Sequence, residues 1–102
     1  MKYIQQGDVV IIPIEAIPQD AILLDTKIVQ EGEHTGHAHR LTGQDSFVYE
    51  EPKAKKKYLR LVTPGDLTHE EHKKIKLPSG DFEIRIVREY DHFLEESREV
   101  LD

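Results

Sequence analysis

At 102 residues, with 37% apolar and 33% charged side chains, the chain has the size and composition of one globular domain spanning residues 1–102. It contains no cysteine, which excludes disulfides, thiol nucleophiles and cysteine-based zinc sites and predicts a reducing, cytoplasmic location. The formal charge of −6 and the lack of a long apolar run predict a soluble protein that binds neither nucleic acid nor membrane.

The first half of the chain alternates turn residues with short apolar segments, a spacing typical of β-sandwiches and barrels. The run Val9–Ile14 is apolar and rich in β-branched residues and predicts a buried strand, in which Pro13 marks an edge or a bulge. Residues 18–20 predict a turn before the apolar segment 21–24. Residues 27–31 alternate as a half-buried strand would.

The second half continues the same pattern and ends on a different one. Residues 47–50 and 58–62 predict a hairpin with a lysine-rich tip, and residues 78–81 predict a turn. Residues 82–86 alternate between apolar and charged side chains, so one face of this strand is buried. The last dozen residues change to a helical period. We therefore predict a mainly β fold, a small antiparallel β-barrel or sandwich with a short C-terminal helix.

Three of the six histidines lie close together at positions 34, 37 and 39. Residues two apart on a strand point to the same face, so His37 and His39 direct both imidazoles to one point. A neutral imidazole is a good ligand for Zn, Fe, Ni, Cu or Mn. This pair forms the centre of a predicted metal site, and His34 is a further candidate ligand.

A second histidine group follows in the segment Thr68-His69-Glu70-Glu71-His72. Thr68 and Glu71 have the spacing of a capping box, which predicts a single helical turn starting here. Residues three apart on such a turn share a side, so His69 and His72 are the next candidate ligands. The segment is one residue shorter than the H-E-x-x-H helix of zinc proteases, and a zincin site is therefore not predicted.

The sequence contains few other candidates for catalytic residues or cofactor-binding motifs. No serine lies in a nucleophile-elbow context, and there is neither a phosphate-binding loop nor a dinucleotide fingerprint. If the protein is an enzyme, a metal-activated water is the expected nucleophile. Glu71 and Glu70 are the candidate general bases.

Several sequence blocks resemble a family of short, uncharacterised bacterial and phage-associated proteins that share them in the same order. These blocks are QGDVVIIPIEAIP, EGEHTGHAHRL, YLRLV, LTHEEHKKIKLPSGDFEI and REYD. The resemblance covers nearly the whole chain, which implies one intact domain, but it implies no activity.

A second resemblance is to cupins, small metal-binding β-barrels. Gly32 precedes the H-x-H pair at roughly the distance found in the first cupin motif, although no glutamate follows within residues 40–44. Pro64 lies five residues before His69, as in the second motif, with Gly65 displaced by one. The resemblance implies that His37, His39 and His69 are ligands and that His72 or a carboxylate is the fourth.

Two functions of different classes follow from these observations. The first is a metal-binding protein, holding Zn, Fe, Ni or Mn, which acts as a metal-dependent hydrolase or a cupin-type enzyme on a small-molecule ligand. The second is a non-enzymatic assembly or adaptor module, in which the histidines are structural or on the surface. A third possibility combines the two: a homo-oligomer in which histidines from neighbouring subunits bind one metal ion.

Overall fold

The computed structural model describes residues 3–31 and 36–87, together with the backbone of residues 99–100. These residues form two sheets, one of seven strands and one of four. All strand pairs are antiparallel except the one between the first and last strands, which is parallel.

The larger sheet has, in spatial order, the strands β11 (Glu99–Val100), β1 (Ile4–Gln6), β2 (Val9–Ile14), β10 (Gly80–Ile86), β7 (Lys56–Leu61), β6 (Ser46–Glu51) and β3 (Ile22–Leu23). The smaller sheet has the order β4 (Ile28–Glu31), β5 (Ala38–Thr42), β8 (Gly65–Thr68) and β9 (Ile75–Leu77). Short turns connect β1 to β2 and β6 to β7, so each of these pairs is a hairpin.

The hydrophobic core lies between the two sheets and draws on both. Its fully buried side chains include Ile11, Val48 and Leu59 from the larger sheet and Leu41 and Leu67 from the smaller. In β10 buried and more exposed residues alternate, because successive side chains on a strand point to opposite faces, whereas Val9, Val10 and Ile11 at the start of β2 are all buried. Burying the inner face of each sheet against the other is what holds a sandwich of this size together.

The predicted strands and turns are confirmed in outline. The hairpin with the lysine-rich tip is β6–β7, residues 82–86 form most of β10 with Phe82 and Ile84 buried, and residues 28–31 form β4. Of the two architectures predicted, the sandwich describes the molecule. The barrel is wrong for the described residues, because neither sheet closes on itself.

The predicted C-terminal helix is not seen in the part of the chain that the structure describes. Residues 99–100 pair with β1 as a strand, and residues 88–98 and 101–102 of that prediction lie outside the described residues. Across residues 3–31 and 36–87, no helix is long and apolar enough to cross a membrane.

The helical turn predicted at Thr68 is wrong. Thr68 is the last residue of β8, and its hydroxyl donates to the carbonyl of Arg40 on the neighbouring strand instead of capping a turn (3.4 Å). The strand pairing between β5 and β8 continues to this point, so the hydroxyl is used across the sheet. Residues 69–72 form an irregular loop.

The start of β8 is a tight point in the fold. A Cβ atom at Gly65 would lie 2.4 Å from the backbone oxygen of Thr42 and 3.1 Å from Leu61. The first contact is with backbone, which cannot move aside without disturbing the β5–β8 pairing.

We predict that Gly65→Ala lowers the free energy of unfolding by about 1–3 kcal/mol, the usual cost of overpacking a site of this kind. Urea denaturation would measure it, with Ser79→Ala at an exposed turn residue as the control. An alanine variant as stable as the wild type would show that the two strands separate at this point without cost.

Candidate metal centre

A buried polar contact joins the two sheets at the base of the histidine cluster. Gln6, at the end of β1, has no solvent exposure, and His39 in β5 is only 2% exposed. The side-chain nitrogen of Gln6 donates to the carbonyl oxygens of Leu67 (3.0 Å) and Lys73 (2.9 Å). Its oxygen lies 2.8 Å from Nδ1 of His39.

These contacts fix the orientation of both side chains. Only the amide NH₂ can donate to two carbonyls, so the amide oxygen of Gln6 must face His39. A carbonyl oxygen only accepts, and Nδ1 of His39 therefore carries the proton. In the neutral ring this leaves a lone pair on Nε2, the nitrogen that faces the other cluster residues.

The surroundings of His39 disfavour its protonated form. Burial is the largest cause and the neighbouring His69 adds to it, while the carboxylate of Asp8 acts in the opposite direction. Together these effects lower the pKa of His39 to about 4. The ring is therefore neutral at physiological pH, which is the form that binds metals.

His37 lies just before β5 and is oriented by a carboxylate. Its Nδ1 is 2.9 Å from Oε1 of Glu71, which is 56% exposed. An ionised carboxylate only accepts, so Nδ1 donates and Nε2 carries the lone pair. Histidine ligands of metals are commonly held by a carboxylate in this way.

Glu70 fastens the loop of residues 69–72 to β5. Its Oε1 accepts from the backbone N–H of Ala38 (2.9 Å), and its Oε2 accepts from the guanidinium of Arg40. These two hydrogen bonds, the backbone one first, lower the pKa of Glu70 to about 2. A carboxylate with so low a pKa is a weak base, and its contacts suit anchoring better than proton transfer.

Four imidazole rings lie close together next to the buried Gln6–His39 contact. The ring centroids of His69 lie 4.4 Å from His39, 4.7 Å from His72 and 5.9 Å from His37, and those of His39 and His72 are 5.9 Å apart. His39 is supplied by a strand and His69 and His72 by the loop after β8, so the cluster forms only when β5 and β8 pair.

The turn between β1 and β2 covers one side of the cluster. Gly7 has a positive φ of 58°, and a Cβ atom there would lie 2.6 Å from Nε2 of His72. Only glycine allows the turn to approach the ring this closely. The next residue, Asp8, places Oδ1 3.4 Å from Nε2 of His39 and is itself 52% exposed.

The donor atoms do not converge on a single point. Within residues 3–31 and 36–87, no group of three or more His, Cys, Asp or Glu side chains is arranged so that it could hold a metal ion. His69 accounts for part of this, because its Nδ1 accepts a hydrogen bond from the backbone N–H of Glu71 (3.0 Å). In the neutral ring the proton is then on Nε2.

The structure brings most of the predicted site residues together. His37, His39, His69 and His72 form the cluster, and Glu71 contacts His37. Glu70 is nearby but bound to β5. His34 lies outside the described residues, and whether any of these side chains binds a metal or takes part in catalysis stays a prediction.

Two residues of the cluster were not predicted from the sequence, Gln6 and Asp8. Gln6 is the last residue of β1 and Asp8 lies in the turn that links β1 to β2, both more than 25 residues before the first histidine. The sequence feature that could have pointed to these residues is a glutamine directly before a Gly-Asp turn and an apolar run. Connecting this turn to the histidines requires the long-range pairing of strands, which local sequence patterns do not predict.

Burial of His39 predicts a pH dependence of stability. Because its pKa is lower in the folded chain than the usual 6.5, the unfolded chain binds more protons between pH 6.5 and pH 4. Stability should be fully present above pH 6.5 and decrease as the pH falls through this window, by up to roughly 3 kcal/mol. Urea denaturation in chelator-treated buffer would measure the decrease.

The matched control is His39→Gln, which keeps a donor for Gln6 but does not titrate in this range. Its stability should depend less on pH than that of the wild type, since all other ionisable groups are shared. Parallel pH profiles for the two proteins would contradict the assignment of this effect to His39.

Comparisons with known proteins give a family for the chain. No curated protein and no solved structure matches it significantly. A protein-family model described as "Domain of unknown function (DUF8820)" matches residues 5–87. The matched region contains Gln6, Asp8 and the four clustered histidines, and it covers more than half of the sequence. The chain therefore belongs to this uncharacterised domain family.

Proposed function

We propose that the protein binds one divalent transition-metal ion in the histidine cluster, with ligands drawn from His37, His39, His69 and His72. The observation that carries the proposal is the packing of four imidazoles from two separate chain segments into one cluster, with neighbouring ring centroids 4.4 to 5.9 Å apart. Zn, Fe, Ni and Mn are all suited to imidazole ligands. A reducing cytoplasmic location, in keeping with the absence of cysteine, is part of the same proposal.

The spacing of the rings supports a shared ion. Two imidazoles bound to a tetrahedral zinc through nitrogens at about 2.0–2.1 Å have ring centroids roughly 5 Å apart. The four separations in the structure, 4.4 to 5.9 Å, lie on both sides of this value. Packing alone does not explain why four of the six histidines in the chain lie together, because apolar side chains would pack equally well there.

Binding requires a change of ring orientation, because the donor atoms of the described residues do not converge as they stand. The torsion that turns an imidazole about its Cβ–Cγ bond has broad minima, so reorientation is inexpensive. His69 must also exchange its hydrogen bond from the backbone N–H of Glu71 for the metal. His37 and His39 already have their proton on Nδ1 and need no change of tautomer.

A hydrolytic or cupin-type reaction on a small molecule is the activity that best suits such a site. A metal ion bound by neutral histidines lowers the pKa of a bound water and provides a nucleophile at neutral pH. Glu71, exposed and next to His37, is better placed than Glu70 to accept a proton, because both oxygens of Glu70 are engaged.

Elemental analysis of untagged protein, purified without added metal or chelator, tests the proposal. We expect close to one equivalent of Zn, Fe, Ni or Mn per chain in the wild type and a large loss in His37→Ala/His39→Ala. His69→Ala/His72→Ala, which alters the loop and leaves the buried Gln6–His39 contact intact, should lose the metal as well.

Thermal unfolding separates binding from packing. Metal should raise the melting temperature of the wild type and not that of either double variant, because only binding to the folded state stabilises it. Equal destabilisation with and without metal would assign these histidines to packing. Wild-type protein that contains no metal and takes up none on titration would refute the proposal.

A second function, a non-enzymatic assembly or adaptor module, is favoured by the edge of the larger sheet. Strand β3 is only two residues long, and its side chains Ile22 and Leu23 are 55% and 54% exposed. A groove of about 470 Å³ lies beside it, lined in part by Leu24 and Phe47. Exposed apolar side chains on an edge strand are typical of surfaces that pair with another chain.

If this edge is an assembly surface, light scattering should give a mass that is a multiple of one chain. Leu23→Lys should then shift the mass toward that of a monomer, because a charged side chain on an edge strand opposes pairing. Val62→Lys, an exposed apolar position outside β3, is the control. A wild-type monomer at high concentration would count against assembly and leave the metal proposal untouched.

A further inference from the structure

We propose that Asp8 is a ligand of the metal and that it forms, with His39 and His72, a site of two histidines and one carboxylate. The inference rests on the proposed function, since it assigns the ligands of the same ion. It changes the expected site from an all-histidine centre to a mixed nitrogen and oxygen centre. The β1–β2 turn, far from both histidine groups in sequence, thereby becomes part of the site.

The first step is the direction of the His39 lone pair. Gln6 is fully buried and donates to two carbonyls, so its oxygen can only accept from Nδ1 of His39. The lone pair is consequently on Nε2. This nitrogen lies 3.4 Å from Oδ1 of Asp8.

Two acceptors that face each other at this distance repel unless something positive lies between them. A proton on His39 would serve, but the ring is only 2% exposed and lies next to two other imidazoles, and a buried positive charge in such surroundings is costly. A metal ion satisfies both atoms at once. Donor atoms about 2.1 Å from a tetrahedral zinc lie roughly 3.4 Å apart, which matches the observed separation.

The third ligand follows from the approach of the turn. The ring of His72 lies beside the turn, because a Cβ atom at Gly7 would be 2.6 Å from its Nε2, and Gly7 is the neighbour of Asp8. The ring centroids of His72 and His39 are 5.9 Å apart. His72 is therefore the imidazole that side-chain rotation can bring to the same ion, and rotation is needed because the donor atoms of the described residues do not converge as they stand.

A site with these three ligands has a distinct chemical character. Two histidines and one carboxylate leave coordination positions open, as in metalloproteases and non-haem iron enzymes, whereas four histidines would close a tetrahedral ion. Asp8 is half exposed, so the open positions face solvent. His37 and His69 then line the approach to the ion and are available to contact what binds there.

The test compares Asp8→Asn with the wild type, using Co²⁺ as the titrated metal. Asp25→Asn is the matched control, because Asp25 is an exposed carboxylate in the groove beside β3. Loss of a ligand should weaken Co²⁺ binding by at least about tenfold, since even an outer partner of a ligand contributes 10–100-fold. The visible absorption of the bound Co²⁺ should change as well, because its ligand set has changed.

Each outcome has a separate meaning. Wild-type protein that binds no Co²⁺ refutes the metal site itself and this assignment with it. Wild-type binding with an unchanged affinity and spectrum in Asp8→Asn overturns only the assignment of Asp8. If Asp8 is instead an ion-pair partner of protonated His39, Asp8→Asn lowers acid stability of the metal-free protein and leaves the Co²⁺ affinity within about threefold of wild type.

Discussion

The hydrogen bonds of Gln6 are the interaction on which the site depends. This one side chain uses both donors and its acceptor on groups from the smaller sheet and the loop that follows β8, although it belongs to a strand of the larger sheet. A buried amide is costly unless it is fully satisfied, so its three partners must be held in one arrangement. The arrangement sets the relative position of the two sheets at this end of the sandwich and the tautomer of His39 in the same step.

Much of the fold could be predicted from local pattern. Alternation of apolar and polar residues gave β10, the β-branched run gave β2, and the lysine-rich tip gave the β6–β7 hairpin, because each of these signals depends only on neighbours in sequence. The sandwich and barrel could not be separated in this way. Closure depends on which edge strands meet, and strand order is a long-range property. The helical turn at Thr68 failed for a related reason, since a hydroxyl that can cap a helix can equally donate across a sheet.

The candidate site, like the fold, could be predicted only where local spacing identifies its residues. H-x-H and H-x-x-H spacings identify the histidines, and the pairing of β5 with β8 brings them together. No spacing rule connects either group to the Gly7-Asp8 turn, which reaches the cluster through the pairing of β1 and β2 and the packing of the two sheets. Glu70 shows what the spacing omits. Its position between two histidines predicts a general base, and this stays a prediction, but the spacing does not reveal the hydrogen bonds to Ala38 and Arg40 that attach the loop to β5.

The distribution of burial across the cluster bears on whether the site is structural or catalytic. A structural metal site gains most when all its ligands are buried and the ion is closed off, since the ion then replaces part of the core. Here burial falls steeply from one side to the other, from His39 at 2% exposure to Asp8 and Glu71 at more than half. The buried side is held rigid by Gln6, and the exposed side is formed by a turn and a loop. In the proposed metal site, His39 would be the fixed ligand on the buried side and the other side would stay open. Metal-assisted chemistry on a small molecule requires such a division, because the ion must be positioned by the protein and still be reached by substrate and water.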